Sequence, residues 1–431
     1  MNIVMMTNTY TPHVGGVANS VAAFAEGYRR RGHRVLVVAP VFPDMPTDEP
    51  DVIRIPAWQN FNGSDFSVVL PVPTGLDEAL DGFAPDIIHA HHPFLIGSTA
   101  LRVAAERRVP LVFTHHTLYE CYTHYVPGDS PALKRFVMAL STHFANSCDR
   151  VFAPSQSVAE LITDRGVTTP IRVVPTGVDV NAFASGDGAA FRREAGIPAG
   201  ARVIGHVGRL AEEKNLGYLA DAMIAACRQD ETVHCLVVGD GAAADDFDRR
   251  FENAGLAGRL TRPGAMTLPG LADAYAAMDS FAFASLTETQ GMVVAEAMAA
   301  GLPVVALDAP GVREVVDNRN GRLLPADSDA GAMGEALLAI LHPSPAQSRA
   351  MASAVAATAD AFAMERSVAT ALAHYQGVIA EHGAAAGARQ AARDRWQESL
   401  RGIQAEWAVI RGLARAAGKA IASDKTPDYP S

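Results

Sequence analysis

The chain has no run of the roughly 18 apolar residues that a membrane span requires, so any membrane role has to be peripheral. Its first residues, Met-Asn-Ile-Val-Met-Met-Thr-Asn, lack the basic start and long apolar stretch of a secretory leader and read as a β-strand. Cysteine is scarce: among 431 residues there are only Cys121, Cys148, Cys227 and Cys235, and no two are spaced C-x-x-C. That removes the zinc and redox signatures and leaves reduced, buried thiols in a cytoplasmic protein as the expectation. Basic charge is in deficit, with 36 Lys and Arg against 47 Asp and Glu and a net charge of −11. Nucleic acid is therefore a poor partner, and contact with anionic lipid needs a local basic patch. A full G-x-G-x-x-G is missing, which argues against a dehydrogenase.

What is present is an alternation. One hydrophobic core stops growing at roughly 250–300 residues, so a chain of this length is expected to form two domains. Short apolar runs at residues 2–7, 34–39, 86–90, 110–114, 149–154 and 171–175 are separated by helical patterns, the first over about 17–31. Continuous apolar strands alternating with helices indicate a buried parallel sheet. The pattern restarts at 202–208, with a helix over about 215–229 and strands at 233–239, 280–284 and 303–307. The fold class is therefore α/β, with two Rossmann-like, doubly wound domains whose nucleotide site is the cleft between them.

The expected division is an N-terminal domain at 1–180, a C-terminal domain at 181–364 and a helical tail at 381–431. The linker is placed at Pro175-Thr176-Gly177-Val178-Asp179, and the Gly- and Ala-rich stretch 185–190 reads as part of the hinge. From 331 to about 420 the pattern is helical almost throughout. In the tail, Arg389, Arg393, Arg401, Arg411, Arg415 and Lys419 alternate with Trp396, Leu400, Ile403, Trp407, Ile410 and Leu413 at helical spacing. This reads either as a basic amphipathic helix on a membrane surface or as a helix packed on the protein or a partner subunit. Asp394, Glu398 and Glu406 dilute the charge.

Four motifs carry chemistry. In Ser285-Leu286-Thr287-Glu288-Thr289-Gln290-Gly291 a polar turn leads into a helix beginning near Gly291, with Glu296 following. Free N–H groups at a helix start attract a diphosphate; Glu296 suits ribose hydroxyls, and Glu288 suits sugar hydroxyls. The alternative is a capping Glu and a solvated one. Arg209 and Lys214 follow directly on a strand, where a guanidinium fork and an ammonium suit a diphosphate and the charge that grows as it leaves. Gly15-Gly16-Val17 is a glycine turn open to phosphate. His89, His91 and His92 end one strand, and His115 and His116 end the next. These histidines suit acid–base work, a hydroxyl, or structural hydrogen bonds. No carboxylate cluster accompanies them, and Asp246-Phe247-Asp248 reads as a chance D-x-D on a helix, so no metal or other cofactor is expected.

Over about residues 1–380 these motifs resemble the retaining glycosyltransferases of family 4, which have the GT-B fold. The likeness rests on Gly15-Gly16, His89-x-His91, the 175–179 linker, Gly208-Arg209 with Lys214, and Val238-Gly239-Asp240-Gly241. It rests also on Glu288 with Glu296 and the following Ala297-Met298-Ala299-Ala300-Gly301-Leu302-Pro303. The resemblance implies that Arg209 and Lys214 grip the donor diphosphate, Glu296 binds ribose, and Glu288 contacts the donor sugar. It implies further that Gly15 and Gly16 approach the phosphate, His116 faces the reacting sugar, and the base lies near Arg262-Pro263-Gly264. Thr289, Gln290 and Gly291 then complete the donor site. A helix over about 365–380 returns to the first domain.

Thr114-His115-His116-Thr117-Leu118-Tyr119-Glu120, Tyr122-Thr123-His124-Tyr125 and Glu288-Thr289-Gln290-Gly291 look like the branch that glucosylates diacylglycerol. His115 stands where that branch usually has tyrosine. The resemblance implies UDP-glucose or a related UDP-hexose as donor, a lipid hydroxyl as acceptor, no metal, and peripheral contact with the inner face of the membrane. Around the helix expected over 131–147 only Lys134, Arg135 and Arg150 form a basic patch. The alternatives are a soluble or polysaccharide-precursor acceptor, GDP-mannose as donor, epimerisation of a nucleotide sugar, and a nucleotide-sugar-binding protein without catalysis. Acceptor specificity is assigned to the loops 58–70 and 118–130.

Overall fold

The apolar run Ile3-Val4-Met5-Met6 shows how the first domain is built. Its residues point alternately to two faces: Val4 and Met6 enter one core and Ile3 and Met5 another. A strand buried on both sides needs helices on both faces, and a parallel sheet with crossover helices supplies them. The structure, a computed structural model, describes residues 1–13, 15–46, 48–58, 68–69, 75–121 and 130–382. The tail residues from 383 on, Tyr122-Thr123-His124-Tyr125 and most of the loops 58–70 and 118–130 lie outside the described residues.

The first half runs β1 (Asn2–Met6), α1 (Gly16–Arg30), β2 (Arg34–Pro40), β3 (Val52–Ile55), β4 (Ala57–Trp58), β5 (Val68–Val69), α2 (Leu76–Phe83) and β6 (Ile87–Ala90). It continues α3 (Ile96–Arg107), β7 (Leu111–Thr114), α4 (Pro131–Ala145), β8 (Arg150–Ala153), α5 (Gln156–Asp164) and β9 (Ile171–Val173). Its sheet has the order β3-β2-β1-β6-β7-β8-β9, all parallel, and β4 and β5 form a separate antiparallel pair.

The second half runs α6 (Val180–Ala184), α7 (Gly188–Glu194), β10 (Arg202–Val207), α8 (Leu216–Gln229), β11 (Val233–Val238), α9 (Ala244–Asn253), β12 (Leu260–Gly264) and α10 (Gly270–Ala276). Then come β13 (Ser280–Phe283), α11 (Met292–Ala299), β14 (Val304–Leu307), β15 (Gly321–Leu324), α12 (Ala330–Leu341), α13 (Pro345–Ala361) and α14 (Met364–His382). This sheet has the order β12-β11-β10-β13-β14-β15, again all parallel. Both sheets reverse direction of winding beside their first strand, which is where such sheets bind ligands.

Two chain crossings join the halves, and they lie side by side. Val178 N–H donates to Phe362 C=O at 2.9 Å, and Met364 N–H donates to Val178 C=O at 2.9 Å. Beyond the second crossing α14 packs on α1. Val368, Ala371, Leu372 and Tyr375 are buried with Val21, Phe24 and Tyr28 in one cluster. A polar chain crosses that core: Tyr28 OH donates to Tyr375 OH at 3.1 Å, and Tyr375 OH meets His89 Nδ1 at 2.5 Å. His89 Nε2 continues it to Thr114 Oγ1 at 2.7 Å. The stretch 185–190 is not the slack hinge its composition suggests. Gly188 opens α7, and a Cβ on Gly186 or Gly188 would come within 2.2 or 2.1 Å of backbone oxygens of α10. Small residues there let α7 press on α10. Among the described residues no helix is long and apolar enough to cross a membrane.

The α1–α14 contact has a direct test. A Cβ on Gly27 would stand 2.4 Å from Val368 Cγ2, whereas one on Gly377 meets nothing within 4 Å. Gly27→Ala should destabilise by about 1–3 kcal/mol through overpacking. Gly377→Ala should stabilise by roughly 0.5–1 kcal/mol, because an unhindered helix position gains from losing glycine's backbone freedom. Denaturant unfolding of the two variants checks both signs.

Candidate active site

The loops that leave the carboxyl ends of β1, β6, β7, β10 and β13 carry the candidate residues of both halves. Three helices that start from them, α1, α8 and α11, have no side-chain hydrogen bond at the N-cap and no acidic residue in the first turn. No capping side chain thus competes for their first N–H groups, which suits an anion; in α11 the third of them, on Val294, donates to Gly291 C=O at 2.9 Å. Gly291, which caps α11, has φ +71°, a left-handed conformation that favours glycine.

In the second domain, β10 ends against the loop after β11. Gly239 has φ +137°, and a Cβ there would strike Gly208 C=O at 1.9 Å. The glycines of Gly208-Arg209 and Gly239-Asp240-Gly241 therefore let two loop backbones touch, which aims Arg209 into its place. Arg209 pairs with Glu213, and Lys214 Nζ pairs with Glu288 Oε1 at 2.6 Å. The loops are also tied by their backbones, with Thr287 Oγ1 donating to Glu213 C=O at 3.2 Å and Asn215 Nδ2 to Ala284 C=O at 3.2 Å. His206 lies close to this pair. Its Nδ1–H donates to Ala282 C=O at 3.0 Å, and burial pushes its pKa down to about 4, so the ring is neutral.

Glu296 sits in the second turn of α11 and accepts from Tyr275 OH at 2.8 Å. Burial raises its carboxyl to about 6, against the pull of the Tyr275 bond. Arg262 does not reach toward these groups: its Nε and Nη2 donate to the two oxygens of Asp248 at 2.6 and 2.7 Å. Asp246 and Asp248 lie on helix α9, as the sequence indicates, and Asp246 pairs with Arg249 and Arg250. Gly264 ends β12 with φ +87°.

In the first domain, Gly15 caps α1 in an extended conformation and Gly16 begins the helix. The histidines separate into two kinds. His89 belongs to the Tyr28–Tyr375 chain, and His92 Nδ1 accepts from Asn8 N–H at 3.1 Å, which braces the β1 loop. His115 is buried between Phe113 and Tyr119. His91 Nδ1 faces His116 Nε2 at 2.9 Å, and their rings stack. Burial drives the pKa of His91 and of His116 well below the ordinary histidine value, and the neighbouring imidazoles add to it. Two neutral rings therefore meet through one hydrogen bond, the N–H of one donating to the unprotonated nitrogen of the other.

The turn before α11 crosses to the first domain. Thr289 Oγ1 donates to His116 C=O at 2.8 Å, and Thr289 C=O accepts from Ser155 Oγ at 2.7 Å. Gln290 is buried, accepts from Thr176 N–H at 2.7 Å and donates to Thr176 C=O at 2.6 Å. The fold thus brings His116, Lys214, Glu288 and Thr289 together through hydrogen bonds to the Glu288–Thr289 turn, while the side chains of Arg262 and Gln290 bond to Asp248 and Thr176. Sequence reasoning missed Tyr275, which holds Glu296 from 21 residues away, and His206. Neither bears a local signal. His91 was visible only as one of a cluster.

Residues 14–182 match the family Glycosyltransferase Family 4, and residues 201–343 match Glycosyl transferases group 1. The chain is 30% identical over 350 residues to the alpha-monoglucosyldiacylglycerol synthase of Streptococcus pneumoniae, covering 79% of each. It is 32% identical over 360 residues to the GDP-mannose-dependent alpha-mannosyltransferase of Mycobacterium tuberculosis, covering 79% of this chain and 88% of that one. Among solved structures it is similar to Anabaena HepE in complex with UDP, with a TM-score of 0.68, 22% identity, and coverage of 87% and 100%. It is similar also to sucrose-phosphate synthase from Thermosynechococcus elongatus, with a TM-score of 0.70, 21% identity, and coverage of 88% and 100%. These neighbours share the GT-B architecture of two facing parallel-sheet domains.

The depressed pKa values of the histidine pair make a prediction that needs no substrate. In histidine-labelled protein, the ring resonances of His91 and His116 should hold still as pH falls from 8 to 6, because both rings are already neutral.

Proposed function

The chain belongs to Glycosyltransferase Family 4, and from that membership we propose that it moves a hexose from a UDP-sugar, UDP-glucose or a close relative, to a hydroxyl of a membrane lipid such as diacylglycerol. The observation that carries the donor half is the Lys214–Glu288 pair at the mouth of two loops whose helices begin uncapped. A diphosphate arriving there meets an ammonium, a guanidinium and free N–H groups. It competes with Glu288 for Lys214 and releases that carboxylate to the sugar hydroxyls. The structural neighbour that binds UDP supports the choice of nucleotide. The lipid half is supported by the relatives that act on diacylglycerol, and by α4, which shows Lys134, Arg135 and Phe136 to solvent.

In this reading Arg209 and Lys214 neutralise the charge that builds on the leaving diphosphate, the interaction that fixed cations stabilise most in the transition state. Glu296 takes the ribose hydroxyls. Gly15 and Gly16 bring the N-terminus of α1 to the phosphate, and the base lies along the backbone at Arg262 to Gly264. His116 is a neutral imidazole facing the sugar. The leaving phosphate takes the acceptor's proton on the face it departs from, so that configuration is retained and no metal is needed. Transfer of mannose from GDP-mannose is the second reading, favoured by the mycobacterial relatives.

Release of nucleoside diphosphate from a panel of UDP- and GDP-sugars, with and without vesicles containing diacylglycerol and no added metal, tests the proposal. Release from one UDP-hexose that depends on the vesicles is expected. Release with GDP-mannose alone supports the second reading, and silence with every donor refutes both. Lys214→Ala should lower kcat/KM by about 10²–10³-fold, the loss expected for one such electrostatic contact. Glu296 is a carboxylate above its pKa of about 6 and loses that charge below it. The KM for donor should therefore rise as pH falls below about 6, and Glu296→Gln should abolish that pH dependence while raising KM at neutral pH.

A further inference from the structure

We propose that Gln290 is not a donor ligand but a positioning residue that locks the Glu288 turn to the interdomain linker, so that donor binding at the turn and approach of the two domains are one event. The proposal rests on the donor reading for what binds, and on geometry alone for the lock.

One amide here satisfies both backbone groups of one residue. Gln290 Oε1 takes Thr176 N–H and Gln290 Nε2 gives to Thr176 C=O, as a neighbouring β-strand would. Both residues are buried, each 4% exposed. Thr176 lies in the first of the two chain crossings, two residues before Val178, which bonds to the second crossing at Phe362 and Met364. The amide is thus attached to the hinge itself. Thr176 also passes the contact on, because its Oγ1 meets Ser20 Oγ at 2.7 Å in α1, the helix that starts at the glycine turn. On the other side, Gly311 leaves no room for Gln290 to withdraw. A Cβ on Gly311 would stand 2.6 Å from Gln290 N and Cα, so the backbone of the turn is pressed from behind.

Two positions before Gln290, Glu288 holds Lys214. One position before, Thr289 is fixed to His116 and Ser155 of the first domain. A turn of three residues therefore joins the cation of one domain, the histidine loop of the other, and the hinge. If the domains rotate apart about the paired crossings, Thr176 moves relative to Gln290 and two buried backbone groups lose their partners, which is unfavourable. A diphosphate that bridges Lys214 and the N-terminus of α11, which begins two residues after Gln290, holds Gln290 in place too, and so favours the closed arrangement. Gln290→Met keeps the side-chain volume but supplies neither hydrogen bond.

The test uses the full chain with spin labels on Glu78→Cys in α2 and Glu252→Cys in α9, in a Cys121→Ser background, with UDP as the probe. The distance between labels is read by double electron–electron resonance, and UDP affinity by calorimetry. With Gln290 intact, the expected result is one narrow distance distribution. With Gln290→Met, it is an added long-distance population that saturating UDP removes, and UDP affinity weakened by about tenfold, the effect of losing roughly one net buried hydrogen bond. Melting temperatures of both proteins establish that folding is intact. Gln290→Glu should open the domains at neutral pH, where its carboxylate faces Thr176 C=O, and recover when acid protonates it. Identical distances and identical UDP affinity for the wild type and Gln290→Met overturn the proposal. If the wild type binds no UDP, the donor reading fails separately, and the ligand-free distances alone decide: an unchanged distribution in Gln290→Met overturns the lock, and a broadened one supports it.

Discussion

Parallel strands joined by crossover helices all end on the same edge, and that edge collects loops, helix N-termini and unpaired N–H groups whatever the sequence of the loops. Here two such sheets, of seven and six strands, turn these edges toward each other. Every group with a chemical role in this account, from Gly15 to Glu296, hangs from that pair of edges. The switch in strand order beside β1 and beside β10 opens the crevices into which the glycine turn, Arg209 and the Glu288 turn project. The α1–α14 contact and the Tyr28–Tyr375–His89 chain fasten the returning helix to the first domain beside that edge.

Electrostatics within the cleft rests on two ion pairs. Cations at Arg209 and Lys214 are held by Glu213 and Glu288, so the site is neutralised by its own carboxylates and its cations are oriented before anything binds. A charged side chain held by a partner loses less rotamer freedom when a ligand takes that partner's place. The histidines contribute no charge: burial leaves His91, His116 and His206 neutral. Glu296, lifted by burial to about 6 and bonded to Tyr275, is poised to change charge just below neutrality.

Much of this was legible in the sequence because it is local. Apolar runs marked the central strands β1, β2, β6, β7, β10, β11 and β13, and glycines marked the turns. The edge strands β3, β12 and β15 escaped, since Val-Ile-Arg-Ile, Leu-Thr-Arg-Pro-Gly and Gly-Arg-Leu-Leu are short and half-exposed and carry charge, glycine or proline. Composition misled at 185–190, where small residues serve close packing against α10 and not slack. Partners far apart in the chain were beyond reach: Tyr275 for Glu296, Asp248 for Arg262, and Thr176 for Gln290. The motif around Glu288 reads as a candidate donor site, but nothing in it discloses that its neighbours Thr289 and Gln290 bond to His116 and Thr176.

The account stands on Lys214 exchanging Glu288 for the donor, and the most direct measurement is a crystal structure of the protein grown with UDP-glucose. The account predicts Lys214 Nζ within hydrogen-bond distance of a diphosphate oxygen, Glu288 turned to the sugar hydroxyls, and the N-terminus of α11 against the phosphates. A nucleotide bound elsewhere, with the 2.6 Å Lys214–Glu288 pair intact beside it, would contradict it.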